Sequence, residues 1–463
     1  MKKLISLAIL ASFIFSYTVP VFAIETAGKQ ETCTAKSSKK GSKITPVKNK
    51  YEYVNLEWWE NFNDEILNDY IIRAVENNKD LKMATLTVDE FYQNVVMQRS
   101  AELPAISAGF LPGYGNMGKH TNENFALPII ASYELDILGK NHNKTTSVKK
   151  LYEASILDER AAYISVAAAV GSTYLNIVRM DSMVDLQEDI VSLRKEIYEM
   201  MTVSNAEGIA SASDLVQANK AYVAAVTELT EYKKQRTKLL HALAVLVGDS
   251  PNNIEEYKRT DYRNTDFAGI IPEYVPSEVI VQRPDYIKAE KLLEKAGIDV
   301  KIARKECLPS INLGGGVLFK STQIGSLFTT SDMLWGMGGG VLSTLFAGGS
   351  ILANLKSKKI AYERTLRNYE KTNLTSMQEV NDSLVTVNRD EEKLAKQKEI
   401  QSLEQKDFEL SKLKYQEGVI SKLELNQHQE NLMSVNKLVY ASKFDCFVDY
   451  ISFYKSVGGV LHT

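Results

Sequence analysis

Hydrophobic and polar positions change period in a fixed order along this chain, and that order occurs twice. From Phe125 to Asp136 the residues alternate. Phe125, Leu127, Ile129, Ala131, Tyr133 and Leu135 share one parity; Ala126, Pro128, Ile130, Ser132, Glu134 and Asp136 share the other. Successive strand side chains point to opposite faces, so this segment predicts a strand with one continuous apolar face and one mixed face ending in two acids. Beyond Gly139 the period becomes helical and stays so to about Asn205. A strand of about 9–11 residues suffices to cross a tilted bilayer. A helix of about 60 residues extends roughly 90 Å. No ordinary soluble domain needs the two joined end to end.

Around this join the pattern predicts further elements. Helical spacing starts near Trp58-Trp59, passes Leu67, Ile71 and Val75, breaks at Asn77-Asn78 and resumes from Leu81 to Glu102, where Pro104 stops it. Ile106, Ala108 and Phe110 alternate as a short strand, and Pro112–Asn124 reads as a polar loop. In the long helix Leu186, Ile190, Leu193, Ile197 and Met200 follow a 4, 3, 4, 3 spacing, the seam of a coiled coil. Glu207-Gly208-Ile209-Ala210-Ser211 interrupts it. A return helix then carries Leu215, Ala218, Tyr222, Ala225, Leu229, Tyr232, Arg236, Leu239 and Leu243 at 3, 4 spacing. Two long antiparallel helices joined by a tight turn follow.

The sequence then repeats itself. Pro309 stops a helix that begins at Pro284, as Pro104 did 205 residues earlier. Ile311, Leu313, Val317 and Phe319 alternate, a polar loop spans Lys320–Asp332, and Trp335, Met337, Val341 and Leu345 share one parity. Gly348-Gly349 stands where Gly139 stood. The turn Glu417-Gly418-Val419-Ile420-Ser421 lies 210 residues after its counterpart, and Leu425, His428, Leu432, Val435, Val439, Ser442 and Cys446 form the second return seam. The expected organisation is a signal peptide over 1–23, a disordered linker over 24–54, a first repeat over 55–250, a connector over 251–276 and a second repeat over 277–458. Strands are expected at about 104–112, 125–136, 309–319 and 333–345, and helical hairpins over 141–247 and 350–456.

Composition narrows the class. The chain has 463 residues and a net charge of −3, so no basic field suggests nucleic acid. Lys2-Lys3, the apolar run Leu4–Phe15 and Val21-Phe22-Ala23 read as a cleavable secretory signal. No later stretch has about 18 consecutive apolar residues, so a membrane crossing falls to the strands. Cys33, Cys307 and Cys446 have neither metal-site nor disulfide spacing, and Gln30-Glu31-Thr32 before Cys33 do not form a lipidation signal. The glycine runs 314–316 and 336, 338–340 lack the Lys-Ser/Thr of a phosphate-binding loop and read as barrel strands. No catalytic constellation, cofactor motif or metal site is expected. Four amphipathic strands cannot close a barrel, and open edges in hydrocarbon cost several kcal/mol per unsatisfied group. Several chains must therefore share one barrel, and three copies would give about 12 strands around a water-filled lumen. Parity then places Phe125, Leu127, Ile129, Tyr133, Trp335 and Val341 toward lipid, and Ser132, Glu134, Asn312 and the glycines toward the lumen.

The segments Ser132-Tyr133-Glu134-Leu135-Asp136-Ile137-Leu138-Gly139, Arg283-Pro284-Asp285 with Ala289-Glu290, Leu308-Pro309-Ser310-Ile311 and Leu345-Phe346-Ala347-Gly348-Gly349, with the two Glu-Gly-x-x-Ser turns, resemble the TolC-like outer-membrane factor family over about residues 55–458. The resemblance implies an α+β membrane protein: a homotrimer with a 12-stranded transmembrane β-barrel, four strands per chain, continuing into a long periplasmic α-helical coiled-coil barrel. It implies a mixed equatorial belt, in which Trp58-Trp59 anchor the first helix, and a location in the outer membrane reaching into the periplasm. It also implies partners, namely a periplasmic adaptor and an inner-membrane pump, of the RND type rather than the ABC type. Carried over by position, the adaptor-contacting tips are Glu207, Gly208, Ser211, Leu215, Glu417, Gly418, Ser421 and Leu425. The family's acidic rings fall at Glu424 and Gln427, of which only Glu424 keeps a charge. The expected function is the passive exit duct of a tripartite efflux system. Alternatives are a duct for type I protein secretion or, in another class, a periplasmic coiled-coil scaffold.

Overall fold

In a computed structural model the described residues are 58–458, apart from 118–119, 253–256, 263–271, 273, 330–332 and 345. The expected signal peptide and linker, much of the connector, and Leu345 lie outside them. The chain opens with a 3-10 turn, Trp58–Phe62, followed by α1 (Glu65–Asn77) and α2 (Lys79–Ser100). Asp64 caps α1 by accepting from the backbone of Ile66 and Leu67, and Asn78 ends α1 while capping α2 through Leu81. Three strands follow, β1 (Ala105–Ala108), β2 (Leu111–Met117) and β3 (His120–Leu135), then the hairpin α3 (Lys140–Ala206) and α4 (Ala212–Val247). After the connector come one helical turn at Ser277–Ile280, α5 (Pro284–Lys305), β4 (Ser310–Ser321), β5 (Met333–Leu342) and the hairpin α6 (Ser350–Gln416) and α7 (Lys422–Ser456).

Of the expected loop 112–124, residues 112–117 and 120–124 are strand. β2 pairs antiparallel with β3 from Leu111–Ala126 to Met117–His120, in register with the β1–β3 pairing from Ala105–Ser132 to Ala108–Ile129. Gly109 donates its N–H to Pro128 O, so β1 and β2 run in line as one long strand. Asn122-Glu123-Asn124 are polar in both parities, which erased the alternation signal. Backbone pairing holds this ribbon without needing an apolar face. Similarly Lys320 and Ser321 belong to β4 rather than to the loop after it.

The sheet order is β1/β2–β3–β4–β5, antiparallel throughout. Long helices carry the rest. In α4 the seam positions Leu215 to Leu243 are the ones withdrawn from water, and the intervening residues are mostly exposed. The two hairpins meet along α3 and α7, where Arg179 bonds Asp445 (2.8 Å) and Arg194 pairs with Glu430. One window of α3 is apolar and long enough by composition to cross a membrane, but half of it is buried. The same helix supplies Val170, Tyr174 and Ile177 to the core, with Trp58, Phe62, Phe447 and Tyr454.

That core is rich in aromatic rings meeting edge to face or stacked, such as Trp58 on Tyr454 at 5.8 Å. At its centre the Asp64 carboxylate, besides capping α1, accepts from the hydroxyls of Tyr174 (2.7 Å), Tyr262 (2.8 Å) and Thr260 (3.0 Å). A buried charge needs such donors. Here they tie α1, α3 and the connector together. Burial first, and then the neighbouring Asp64, push the Tyr174 and Tyr262 hydroxyls above their ordinary range.

Candidate functional site: sheet, joins and helical tips

Register sorts every strand residue onto one of two faces. Phe125, Leu127, Ile129, Tyr133 and Leu135 of β3 stand opposite Ser321, Phe319, Val317, Leu313 and Ile311 of β4. The latter four apolar residues continue onto Met333, Trp335, Gly339 and Val341 of β5. Ile106 and Ala108 join them from β1. One face is therefore apolar over β1, β3 from Phe125 onward, β4 up to Phe319 and β5, while β2 and the start of β3 are polar on it, and Trp335 is 72% exposed there. Ser132, Glu134, Asn312, Gly314, Gly316, Gly336, Gly338 and Gly340 share the opposite face. The expectation that the glycines lie together there needs correction, because Gly315 and Gly339 sit on the apolar face. Crowding by neighbours explains at least two of the glycines. A Cβ on Gly316 would lie 2.8 Å from Ile129 O, and one on Gly339 would lie 2.8 Å from the Leu313 side chain. Gly336, Gly338 and Gly340 have open space.

At the join of β3 to α3, Asp136 accepts from the His142 backbone N–H (2.8 Å), satisfying a free donor of the first turn of α3. Lys140 reaches back to Glu134 at 2.5 Å, and Lys305 at the end of α5 donates to Gly139 O at 3.0 Å. One strand end and two helix ends are thereby fixed at one point. A second knot lies at Arg283, which is almost fully buried. It donates to Asp285 (2.7 Å), to Glu379 of α6 (2.6 Å) and to the Ser456 carbonyl at the end of α7. Burial pushes the Asp285 carboxyl up, but the hydrogen bonds and charge of Arg283 outweigh it and hold it below the usual range.

The tips are two copies of one device. Ser211 and Ser421 cap α4 and α7. Each side chain accepts from the N–H three residues on, while Asp214 or Glu424 returns a bond to the serine N–H (3.1 and 2.8 Å). Gly208 and Gly418 turn the chain at φ +73° in both, a conformation that costs a side-chain-bearing residue. Glu207 and Glu417 end the preceding helices, and Leu215 and Leu425 begin the inward seams, Leu425 being buried. Ile209 at 81% and Val419 at 68% are exposed apolar residues at the turns. Glu424 is fully exposed. Hydrogen bonds from the Ser421 backbone and hydroxyl hold its carboxyl below the usual range. Gln427 bonds Asn431 at 3.3 Å. The motif Ser-x-x-Asp/Glu was the signal that could have revealed both boxes. Asp64 and Arg283, which hold the fold from afar, carry no local signal of their partners. Among the described residues no group of three or more His, Cys, Asp or Glu is placed to hold a metal ion.

The architecture is matched elsewhere. The family model described as outer membrane efflux protein matches residues 71–249 and 275–445, and the chain belongs to that family. It is therefore an outer-membrane efflux channel protein that reaches into the periplasm, from a transport family rather than an enzyme family. It is 28% identical over 415 residues to the probable efflux pump outer membrane protein TtgC of Pseudomonas putida, covering 87% of this chain and 84% of that one. Identity to the cation efflux system protein CusC of Escherichia coli is 25% over 412 residues, covering 88% and 89%. The crystal structure of the Campylobacter jejuni CmeC outer membrane channel superposes with a TM-score of 0.81 at 22% identity, covering 95% of this chain and 94% of that one, a likeness of fold.

Proposed function

We propose that three copies of this chain close one 12-stranded barrel, and that the assembly is the passive exit duct of a tripartite efflux system for small molecules. The observation that carries this reading is the sheet. Between the Leu127–Phe319–Met333 row and the Leu135–Ile311–Val341 row it is apolar over one face, yet within one chain β5 and the β1/β2 strand each pair on a single side only, among the described residues. Unpaired edges are untenable in hydrocarbon, and pairing β5 of one copy with β1/β2 of the next satisfies both. In this arrangement Phe125, Leu127, Ile129, Tyr133, Trp335 and Val341 face lipid. Ser132, Glu134 and Asn312 face water.

The hairpins carry the conduit into the periplasm. Their tips, Glu207 to Leu215 and Glu417 to Leu425, present exposed Ile209 and Val419 on rigid, capped turns, as an adaptor contact requires. Glu424 lies one helical turn inside the second tip, where three symmetry-related carboxylates would repel each other and attract cations. Gln427, one turn further, would line the same narrowing without charge. Adaptor binding then favours the open tip arrangement by differential affinity. TtgC is named an efflux pump protein, which favours an efflux pump over a protein-secretion exporter as the inner-membrane partner.

Two measurements test the reading. Purified protein should run as a heat-dissociable trimer in SDS and conduct ions in a planar bilayer; a monomer without current would reject the duct. A deletion strain should become more susceptible to small toxic compounds. Unchanged susceptibility together with a lost secreted protein would favour the secretion duct instead.

A further inference from the structure

Each of the four places where a strand meets a helix exposes an apolar residue, and each is followed, within the adjoining helix, by exposed or half-exposed cations. Leu103 (63% exposed) precedes β1 and stands four residues from Arg99; Leu308 (50%) precedes β4 and stands four residues from Arg304. Ile137 (67%) opens onto α3 with Lys144 and Lys149, and Phe346 (88%) opens onto α6 with Lys356 and Lys359. Segments 97–103, 137–150, 301–308 and 346–360 together hold eleven Lys or Arg and two Glu, in a chain whose net charge is −3. Composition does not explain this. Intramolecular pairing does not consume it either: Lys140, Lys150 and Lys305 are engaged, but Arg99, Lys144, Lys149, Arg304, Lys356 and Lys359 form no ion pair among the described residues.

An apolar ring at the end of a membrane sheet, followed one to three helical turns below by a ring of cations, matches the boundary between acyl chains and phosphates. Long Lys and Arg stems lie along apolar surface and place their charge at headgroup depth. We propose that this collar binds the anionic phospholipid headgroups of the periplasmic leaflet, fixing the depth of the barrel in the membrane. The proposal rests on the reading that the sheet spans the membrane.

The test uses the full-length protein in vesicles of phosphatidylethanolamine alone or with one-fifth phosphatidylglycerol. Wild-type protein should melt at a higher temperature with phosphatidylglycerol, and 0.5 M salt should remove about all of that gain. The variant Arg304→Gln/Lys356→Gln/Lys359→Gln should need at least about tenfold more phosphatidylglycerol for the same shift, since each cation near an anionic surface contributes about fivefold. Lys356→Arg/Lys359→Arg should respond as wild type, which keeps the test valid if the glutamine variant does not fold. Equal melting in both lipids, or a glutamine variant that responds like wild type, would overturn the collar. Conductance in pure phosphatidylethanolamine separates the two questions: its absence would sink the membrane reading, whereas its presence leaves the lipid preference to decide the collar.

Discussion

The hydroxyl of Tyr174, midway along α3, donates to Oδ2 of Asp64 over 2.7 Å, linking the longest helix of the first repeat to the cap of the first helix. Asp64 is 4% exposed and has no cation among its hydrogen-bond partners in the described residues. Replacing it by alanine removes a helix cap and leaves two buried hydroxyls, Tyr174 and Tyr262, and the half-buried Thr260 hydroxyl short of an acceptor. Asp64→Ala should cost about 3 kcal/mol in a denaturant melt. Asp64→Asn, which keeps an acceptor, should cost less. Equal losses would show that the charge, not the geometry, matters.

Arg283 joins the start of α5, the middle of α6 and the end of α7, so its loss should be felt at a distance. Arg283→Ala removes the buried partner of Asp285 and Glu379, themselves about half exposed, and should cost about 2 kcal/mol. Arg283→Lys should recover only part, because one ammonium cannot reproduce the forked bonds to both carboxylates. The pair also gives stability a pH dependence. The Asp285 carboxyl is lowered in the fold, so its contribution is present above the ordinary carboxylate pKa and is lost as pH falls through the lowered one. Melting temperature against pH should lose part of its acid-side slope in Arg283→Ala.

Asp449 on α7 behaves in the opposite sense. Burial first, then its hydrogen bond with Asp390 and the charge of Asp445, push its carboxyl up to about 7. The folded state therefore keeps a proton that the unfolded chain has released, and stability from this group should fall as pH rises from about 4 to about 7 and level off above. Asp449→Asn should flatten that part of the profile and raise the melting temperature at pH 8. A melting curve with unchanged pH dependence would reject the shared proton.

Ser211 and Ser421, 210 residues apart, cap equivalent helices in the two repeats. Each change to alanine should cost about 1 kcal/mol, and the double variant about the sum, as distant independent sites do. Glu424→Gln separates two roles. A cap alone predicts faster local exchange at the start of α7 with unchanged ion selectivity; a charged constriction predicts weaker cation selectivity in bilayer recordings.

Within the sheet, Gly316→Ala should impair assembly severely, because the new Cβ meets backbone at 2.8 Å. Gly338→Ala, with open space around it, should assemble normally. The amount of heat-dissociable oligomer in outer-membrane fractions reports both.

How much of this was visible in the residues follows from the range of each interaction. The seams from Leu215 to Leu243 and from Leu425 to Cys446 were legible because periodicity is a local property that burial enforces at every turn. Phe125 to Leu135 was legible for the same reason, and β4 and β5 supply matching parity in register. The ribbon over 112–124 was not, because both of its parities are polar and its partner strand fixes it. Asp64 and Arg283 were invisible as organisers: their partners lie 110 and 198 residues away in one case, and 96 and 173 in the other. Gly316 looked like a concession to a crowded pore, whereas the neighbouring strand's own carbonyl is what excludes a side chain.

The two longest helices, α3 and α6, each contain 67 residues, and their return partners contain 36 and 35. Because both descend from the same sheet, equal lengths bring the far ends to one level, roughly 100 Å away. In the proposed trimer a ring built of such legs would stand evenly, and whatever docks beneath it would meet a flat rim with six near-equivalent feet. Lengthening one leg by a heptad would tilt that footing unless the other grew with it, so insertions in this molecule should be tolerated only in matched pairs.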